Sequence, residues 1–164
     1  MKYINTKIVF QEVPDRITLA INISGCPIHC PECHSKWLWE DAGIELNEEE
    51  LNWLIIQNTG INCVAFMGGD AETSKIKAYS AFIKERYPKI QTCWYSGRRP
   101  SEIHVLGKDG VLDYLDYVKL GPYQAEKGGL DAETTNQRMY LLEHQKDGII
   151  VSKDITAKFR RKYE

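Results

Sequence analysis

Nowhere does the chain carry a run of about eighteen consecutive apolar residues, the least that a membrane-spanning helix needs. The opening segment MKYINTKIVFQEVPDR has no basic stretch followed by an apolar one, so the expectation is a cytoplasmic protein. An excess of one charge is also missing. Lys and Arg number 21 and Asp and Glu 23, leaving a formal charge of -2. That balance supplies neither the basic footprint of a nucleic-acid binder nor a polybasic surface for an anionic membrane, so neither is expected as a partner. No repeat and no low-complexity segment occurs. Cysteine is sparse and odd in number, at five, which argues against a disulfide framework.

What is present is ordinary for a globular protein: 43% hydrophobic and 27% charged residues over 164 positions. The length suits one domain, spanning residues 1–164, with a sizeable core. The cysteines are not ordinary. Cys26-Pro27-Ile28-His29-Cys30-Pro31-Glu32-Cys33-His34 places three thiols in one turn-rich stretch, with no fourth nearby. Three thiolates hold one face of a metal centre and leave a coordination position open, as chemistry at a metal requires and a structural staple does not.

The pattern of apolar residues predicts an alternation of strands and helices. Lys7 to Val13 and Ile17 to Ile23 read as strands about a Pro14-Asp15 turn, the second ending at the cysteine loop. Asn47 with Glu50 resembles a capping box, opening a helix to about Asn58. Ile61 to Met67 and Ile90 to Tyr95 read as buried strands, separated by a helix from Ser74 to Tyr87 that Pro88 ends. A weaker helix near Ser101 to Leu106 precedes a strand from Tyr114 to Leu120, stopped by Gly121-Pro122. After a polar stretch, 139–143 and 148–152 can pair as short strands. Lys158 to Lys162 reads as the basic end of a helix. Such alternation implies a mostly parallel sheet with helices packed outside it, and ligands at the carboxyl ends of the strands. The cysteine loop, Gly68-Gly69-Asp70 and Tyr95-Ser96-Gly97 each follow a predicted strand, so they should share one rim.

The Cys-x-x-x-Cys-x-x-Cys motif resembles the cluster-binding signature of the radical S-adenosylmethionine (SAM) superfamily. Gly68-Gly69-Asp70 is similar to the acidic glycine motif that holds the methionine amino group there. Tyr95-Ser96-Gly97 and Thr134-Thr135-Asn136-Gln137-Arg138 resemble elements of one subgroup, the activating proteins of anaerobic ribonucleoside-triphosphate reductase. The resemblance implies an open partial (β/α) barrel and a [4Fe-4S] cluster held by Cys26, Cys30 and Cys33. It implies SAM on the fourth iron, held by Gly68, Gly69 and Asp70 with contacts from Glu32, His34 and Ser96. No catalytic side chain is implied beyond the cluster and SAM. The implied activity is reductive cleavage of SAM to a 5′-deoxyadenosyl radical, which generates a glycyl radical on the large reductase subunit. A flavodoxin- or ferredoxin-type electron donor is implied as a second partner, and Asn136, Gln137 and Arg138 face the SAM or partner side. A chain this short should leave the mouth of such a barrel wide enough to admit a loop of another protein.

Other readings stand beside these. Three cysteines with His34 form a known zinc ligand set, so a zinc or iron-sulfur binding module without SAM is the non-enzymatic alternative. A small radical SAM enzyme acting on a low-molecular-weight substrate is the enzymatic one. Gly68-Gly69-Asp70 taken alone reads as a strand-to-helix turn; its place after a buried strand and downstream of the thiols favours a binding role. Glu32 stands where the wider superfamily usually carries an aromatic residue. Trp37 and Trp39 read as packing wedges or as a partner surface. Cys63 and Cys93, flanked by apolar residues, read as small buried side chains.

Overall fold

Eight strands pair into a single sheet in the computed structural model, which describes residues 1–160. They are β1 (Lys2–Val9), β2 (Thr18–Ile23), β3 (Ile44–Glu45), β4 (Cys63–Met67), β5 (Gln91–Tyr95), β6 (Tyr117–Leu120), β7 (Arg138–His144) and β8 (Ile150–Asp154). Their order across the sheet is β3-β1-β2-β4-β5-β6-β7-β8. Three helices, α1 (Glu48–Gln57), α2 (Thr73–Arg86) and α3 (Ile103–Lys108), lie in the connections.

The expectation of a mostly parallel sheet forming an open partial barrel with helices outside is overturned. The sheet is mixed: β2, β4, β5 and β6 run parallel, while β1 with β2, β1 with β3, β6 with β7 and β7 with β8 pair antiparallel. The helices also share one face instead of ringing the strands. Leu51, Leu54 and Ile55 of α1, Ile76, Tyr79 and Ile83 of α2 and Leu106 of α3 join one core cluster with Leu19, Ile21, Ile23, Val64, Phe66, Trp94, Val118 and Leu120. Alternate positions on the same strands, Cys63, Ala65, Cys93 and Tyr117, turn to the opposite face with Val13, Met139 and Ile155. The physical reason lies in the connections. A parallel return needs a crossover of a dozen or more residues, usually a helix. The segment between β6 and β7 contains no helix, and β1 meets β2 through a short turn at Pro14 and Asp15, whose φ is 61°.

Local chemistry explains the elements. The side chain of Asn47 accepts a hydrogen bond from the Glu50 backbone N–H at 2.8 Å, capping α1, and three glutamates in its first turn favour the helix dipole. Helix α2 stops at Tyr87, since Pro88 disfavours helical backbone in the residue before it. β4 is CVAFM, buried at four of its five positions, as a strand covered on both faces should be.

Several boundaries differ from the sequence reading. The first strand runs over Lys2–Val9 and not 7–13, because the chain turns before Pro14, and Val13 is buried outside any strand. The two-residue β3 pairs with Lys2 and Tyr3 and is too short for a periodic signal. The strand expected from Tyr114 begins at Tyr117, because Tyr114 is a turn residue whose carbonyl accepts from Thr92 Oγ1 at 2.6 Å. Lys158 and Phe159 sit in a 3-10 turn, Thr156–Phe159, Arg160 follows it in extended backbone, and Arg161 and Lys162 of the expected basic helix end lie outside the described residues. Among the described residues no helix is long and apolar enough to cross a membrane.

Phe66 is fully buried at the centre of the larger cluster. Phe66→Ala should lower unfolding free energy by about 3 to 5 kcal/mol in urea titrations, with little change in the slope against denaturant.

Candidate metal centre

The parallel register brings the ends of three strands level, since Asn22 of β2 pairs with Met67 of β4, which pairs with Tyr95 of β5. The cysteine loop, Gly68-Gly69-Asp70 and Ser96-Gly97 therefore leave the sheet at one rim. Gly68 and Gly69 follow β4 with φ of 111° and 96°, in the left-handed region that side chains disfavour. A Cβ on Gly69 would lie 2.7 Å from Ile76 Cδ1. Trp94, buried in β5, donates its indole N–H to the Gly68 carbonyl at 2.8 Å, fixing the turn to the core.

Asp70 is 7% exposed and ties the rim together. One carboxylate oxygen accepts from Ser96 Oγ at 2.5 Å, the other from the Gly97 backbone N–H at 3.0 Å, and Arg98 Nε lies 3.7 Å away. Ser96 Oγ in turn accepts from the Arg98 N–H at 3.0 Å. Gly97 has room for no side chain: an added Cβ would sit 2.7 Å from Ile28 Cγ1. The cysteine loop is thus packed against the end of β5 through Ile28.

Within that loop, Cys30 is buried and Cys26 and Cys33 are half-buried, and all three are free thiols. Cys26 N–H donates to the Leu38 carbonyl, and Cys33 N–H to the Cys30 carbonyl, both at 3.0 Å. Burial pushes the Cys26 thiol up, while the N–H groups of Ile28 and His29 act in the opposite sense. Ser35 N–H points at Cys33 Sγ at 3.3 Å, the kind of bond that tunes a sulfur-ligated cluster. His29 turns the chain with φ of 50° and stacks on Trp39, ring centroids 4.5 Å apart. His34 Nε2 lies 3.1 Å from Tyr123 Oη, joining the loop to the segment after β6.

The other expected site residues have definite places. Glu32 is in the loop between Cys30 and Cys33, with Trp37 half exposed beyond it. Asn136 donates to the Pro122 carbonyl, Gln137 is buried with its amide directed to the Gly121 carbonyl, and Arg138 binds the carbonyls of Thr135 and Gln137. These donors serve the chain's own return to the rim. Cys63 and Cys93 are fully buried in the sheet, and burial raises the Cys63 thiol to about 12 and pushes the Cys93 thiol well up from its ordinary value. A cavity of about 380 Å³ borders Asp70 together with Ile28, Gly97, Arg98 and Pro122. A larger depression of about 750 Å³, lined by Phe10, Leu130 and Phe159 among others, includes neither Asp70 nor any residue of the cysteine loop, whereas the smaller one is lined by Asp70 and by Pro27 and Ile28 of that loop.

Lys119 is a residue the sequence reading missed. It ends up 9% exposed near the rim end of β6, its Nζ 2.8 Å from the Gly121 carbonyl and 5.8 Å from the centre of the Tyr95 ring. Burial lowers its ammonium to about 8, against the pull of Cys30, Asp70, Cys33 and Cys26, which raise it. A lysine inside the otherwise apolar strand YVKL was the available signal.

A protein-family model described as a 4Fe-4S single cluster domain matches residues 16–140. The chain belongs to the 4Fe-4S single cluster domain family. Neither the curated proteins nor the solved structures contain a match. For a 4Fe-4S single cluster domain, the donor set at the rim fits: three thiols in one short loop, one of them accepting a backbone N–H bond. Among the described residues, no three His, Cys, Asp or Glu side chains gather tightly enough for a single ion.

Replacing Cys26, Cys30 or Cys33 singly by Ser should cut iron and sulfide in the anaerobically reconstituted protein to less than about a third of the wild-type content. Cys63→Ala and Cys93→Ala should retain full iron. Iron analysis with the visible absorption of the cluster checks both sets.

Proposed function

We propose that Cys26, Cys30 and Cys33 hold the 4Fe-4S cluster and that SAM binds the iron they leave free. On this reading the protein is an activase that generates a glycyl radical on the large subunit of an anaerobic ribonucleoside-triphosphate reductase. The observation that carries it is the meeting of the three-thiol loop with the Asp70 turn, through Ile28 against Gly97, at the end of the parallel strands. When bound, SAM would accept one electron through the cluster and yield methionine and a 5′-deoxyadenosyl radical able to take a hydrogen atom from a backbone glycine.

The chain's own part is to hold the amino acid end of SAM. A carbonyl oxygen has two lone pairs. Gly68 O uses one for Trp94 and Gly69 O one for the Glu72 N–H, so each retains capacity for an ammonium donor. The Asp70 carboxylate spends acceptor capacity on Ser96 and Gly97, pairs with Arg98 at 3.7 Å and keeps room for a further bond. Ser96 acts by orienting Asp70, since its hydroxyl hydrogen is committed there. Backbone groups of Glu32 to His34 border the cluster in this assignment. A flavodoxin- or ferredoxin-type protein would deliver the electron, and the neighbourhood of Asn136, Gln137 and Arg138 would face SAM or the partner.

The reduced, iron-loaded protein should convert SAM to methionine and 5′-deoxyadenosine. Mixed with the large reductase subunit, it should give the doublet electron paramagnetic resonance signal of a glycine-centred radical. Asp70→Ala should weaken SAM binding about 10- to 100-fold, the loss of a charge-assisted bond of about 1.5 to 3 kcal/mol, and lower iron content far less. Iron-loaded protein that leaves SAM unchanged would falsify the enzymatic reading, and cleavage without the doublet would replace the reductase by a small-molecule substrate.

A further inference from the structure

The ammonium of Lys119 is a buried cation with too little to neutralise it. Its one hydrogen-bond acceptor is the Gly121 carbonyl at 2.8 Å, and the face of Tyr95 adds a weaker attraction at 5.8 Å. Among the described residues it enters no ion pair. Asp70, the carboxylate that acts on it, is itself committed to Ser96, Gly97 and Arg98. A buried charge left in this condition is costly unless a group of opposite sign lies nearby.

Besides Asp70, the thiols of Cys30, Cys33 and Cys26 pull the ammonium up against the lowering by burial. In β6, Val118 and Leu120 belong to the helix-covered core, while Lys119 projects to the other face, where its register partners are Tyr95 and Met139. The single charged position in the strand is thus directed away from the helices, and its acceptor Gly121 adjoins Pro122 and Tyr123, which meet the cysteine loop at Pro27 and Ile28 around the cavity of about 380 Å³ and at His34 at 3.1 Å. Thiolates ligating a cluster are negative at neutral pH, and each electron the cluster takes adds a further negative charge.

We propose that Lys119 is the fixed counter-charge of the iron-sulfur cluster and sets its reduction potential by stabilising the reduced state. The step it influences is the transfer of one electron from an external one-electron reductant to the cluster. No bond forms or breaks, and the lysine proton stays on Nζ. The inference rests on the assignment of Cys26, Cys30 and Cys33 as ligands and is independent of SAM or of any partner. A cation held in a low-dielectric site acts strongly on a neighbouring charge, where the same lysine in water would be screened.

The experiment is a dye-mediated redox titration of the full-length, iron-loaded protein, followed by the electron paramagnetic resonance of the reduced cluster. Lys119→Met, which keeps the length of the side chain and removes the charge, should make reduction at least tenfold less favourable, a fall of about 59 mV for one electron. Lys119→Arg should stay close to wild type. Equal potentials for wild type and Lys119→Met, at equal iron content, would overturn the inference and leave the ligand assignment standing. Should Lys119→Met fail to fold, Lys119→Gln compared with Lys119→Arg decides: a lower potential for the glutamine variant supports the inference and equal potentials overturn it. A failure of the ligand assignment is distinct, because serine replacements at the three cysteines would then retain full iron.

Discussion

The buried carboxylate of Asp70 is the constraint on which the rim depends. By accepting from Ser96 and from the backbone of Gly97, and by pairing with Arg98, it fixes the end of β4 to the end of β5. Gly97 so held is the surface on which Ile28 of the cysteine loop rests. Trp94 supports the same turn from below, through the Gly68 carbonyl and through its own burial in the helix-covered core. The chain of dependence therefore runs from core packing, through one tryptophan and one carboxylate, to the position of the thiols. In a low-dielectric setting such a network is valuable only when each member is satisfied, and here the carboxylate is.

Two residues tie the cysteine loop to what lies beyond. His29 stacks on Trp39 within the local chain, and His34 reaches Tyr123 on the segment that follows β6. That segment is itself held to the rim by Asn136 and Gln137. The return limb to β7 thus serves two ends, completing the antiparallel side of the sheet and bracing one edge of the thiol loop. Charge follows the same geometry: Asp70 and Arg98 answer each other, while Lys119 is bonded to the Gly121 carbonyl at the start of the segment that His34 reaches.

The legible parts of the site were those written in short stretches of chain. The thiol triplet, Gly68-Gly69-Asp70 and Tyr95-Ser96-Gly97 stand out because each motif is contiguous and each follows an apolar run, and the rim they share follows from three parallel pairings. The barrel did not survive, because strand direction outside that centre depends on pairings between distant segments. Nothing local in Arg138–His144 states that it returns antiparallel beside β6, and the two residues of β3 are silent by length. Lys119 was passed over for a related reason. A lysine in a strand usually marks an exposed edge, and only the placement of β6 between β5 and β7 buries it.

The proposed centre is a four-iron cluster on three thiolates with one iron open to SAM. Mössbauer spectroscopy of protein loaded with iron-57, with and without SAM, tests it most directly. About four irons per chain are expected, one of which changes its isomer shift when SAM is added while the others do not. Four irons indifferent to SAM, or a chain that takes up zinc in their place, would contradict it.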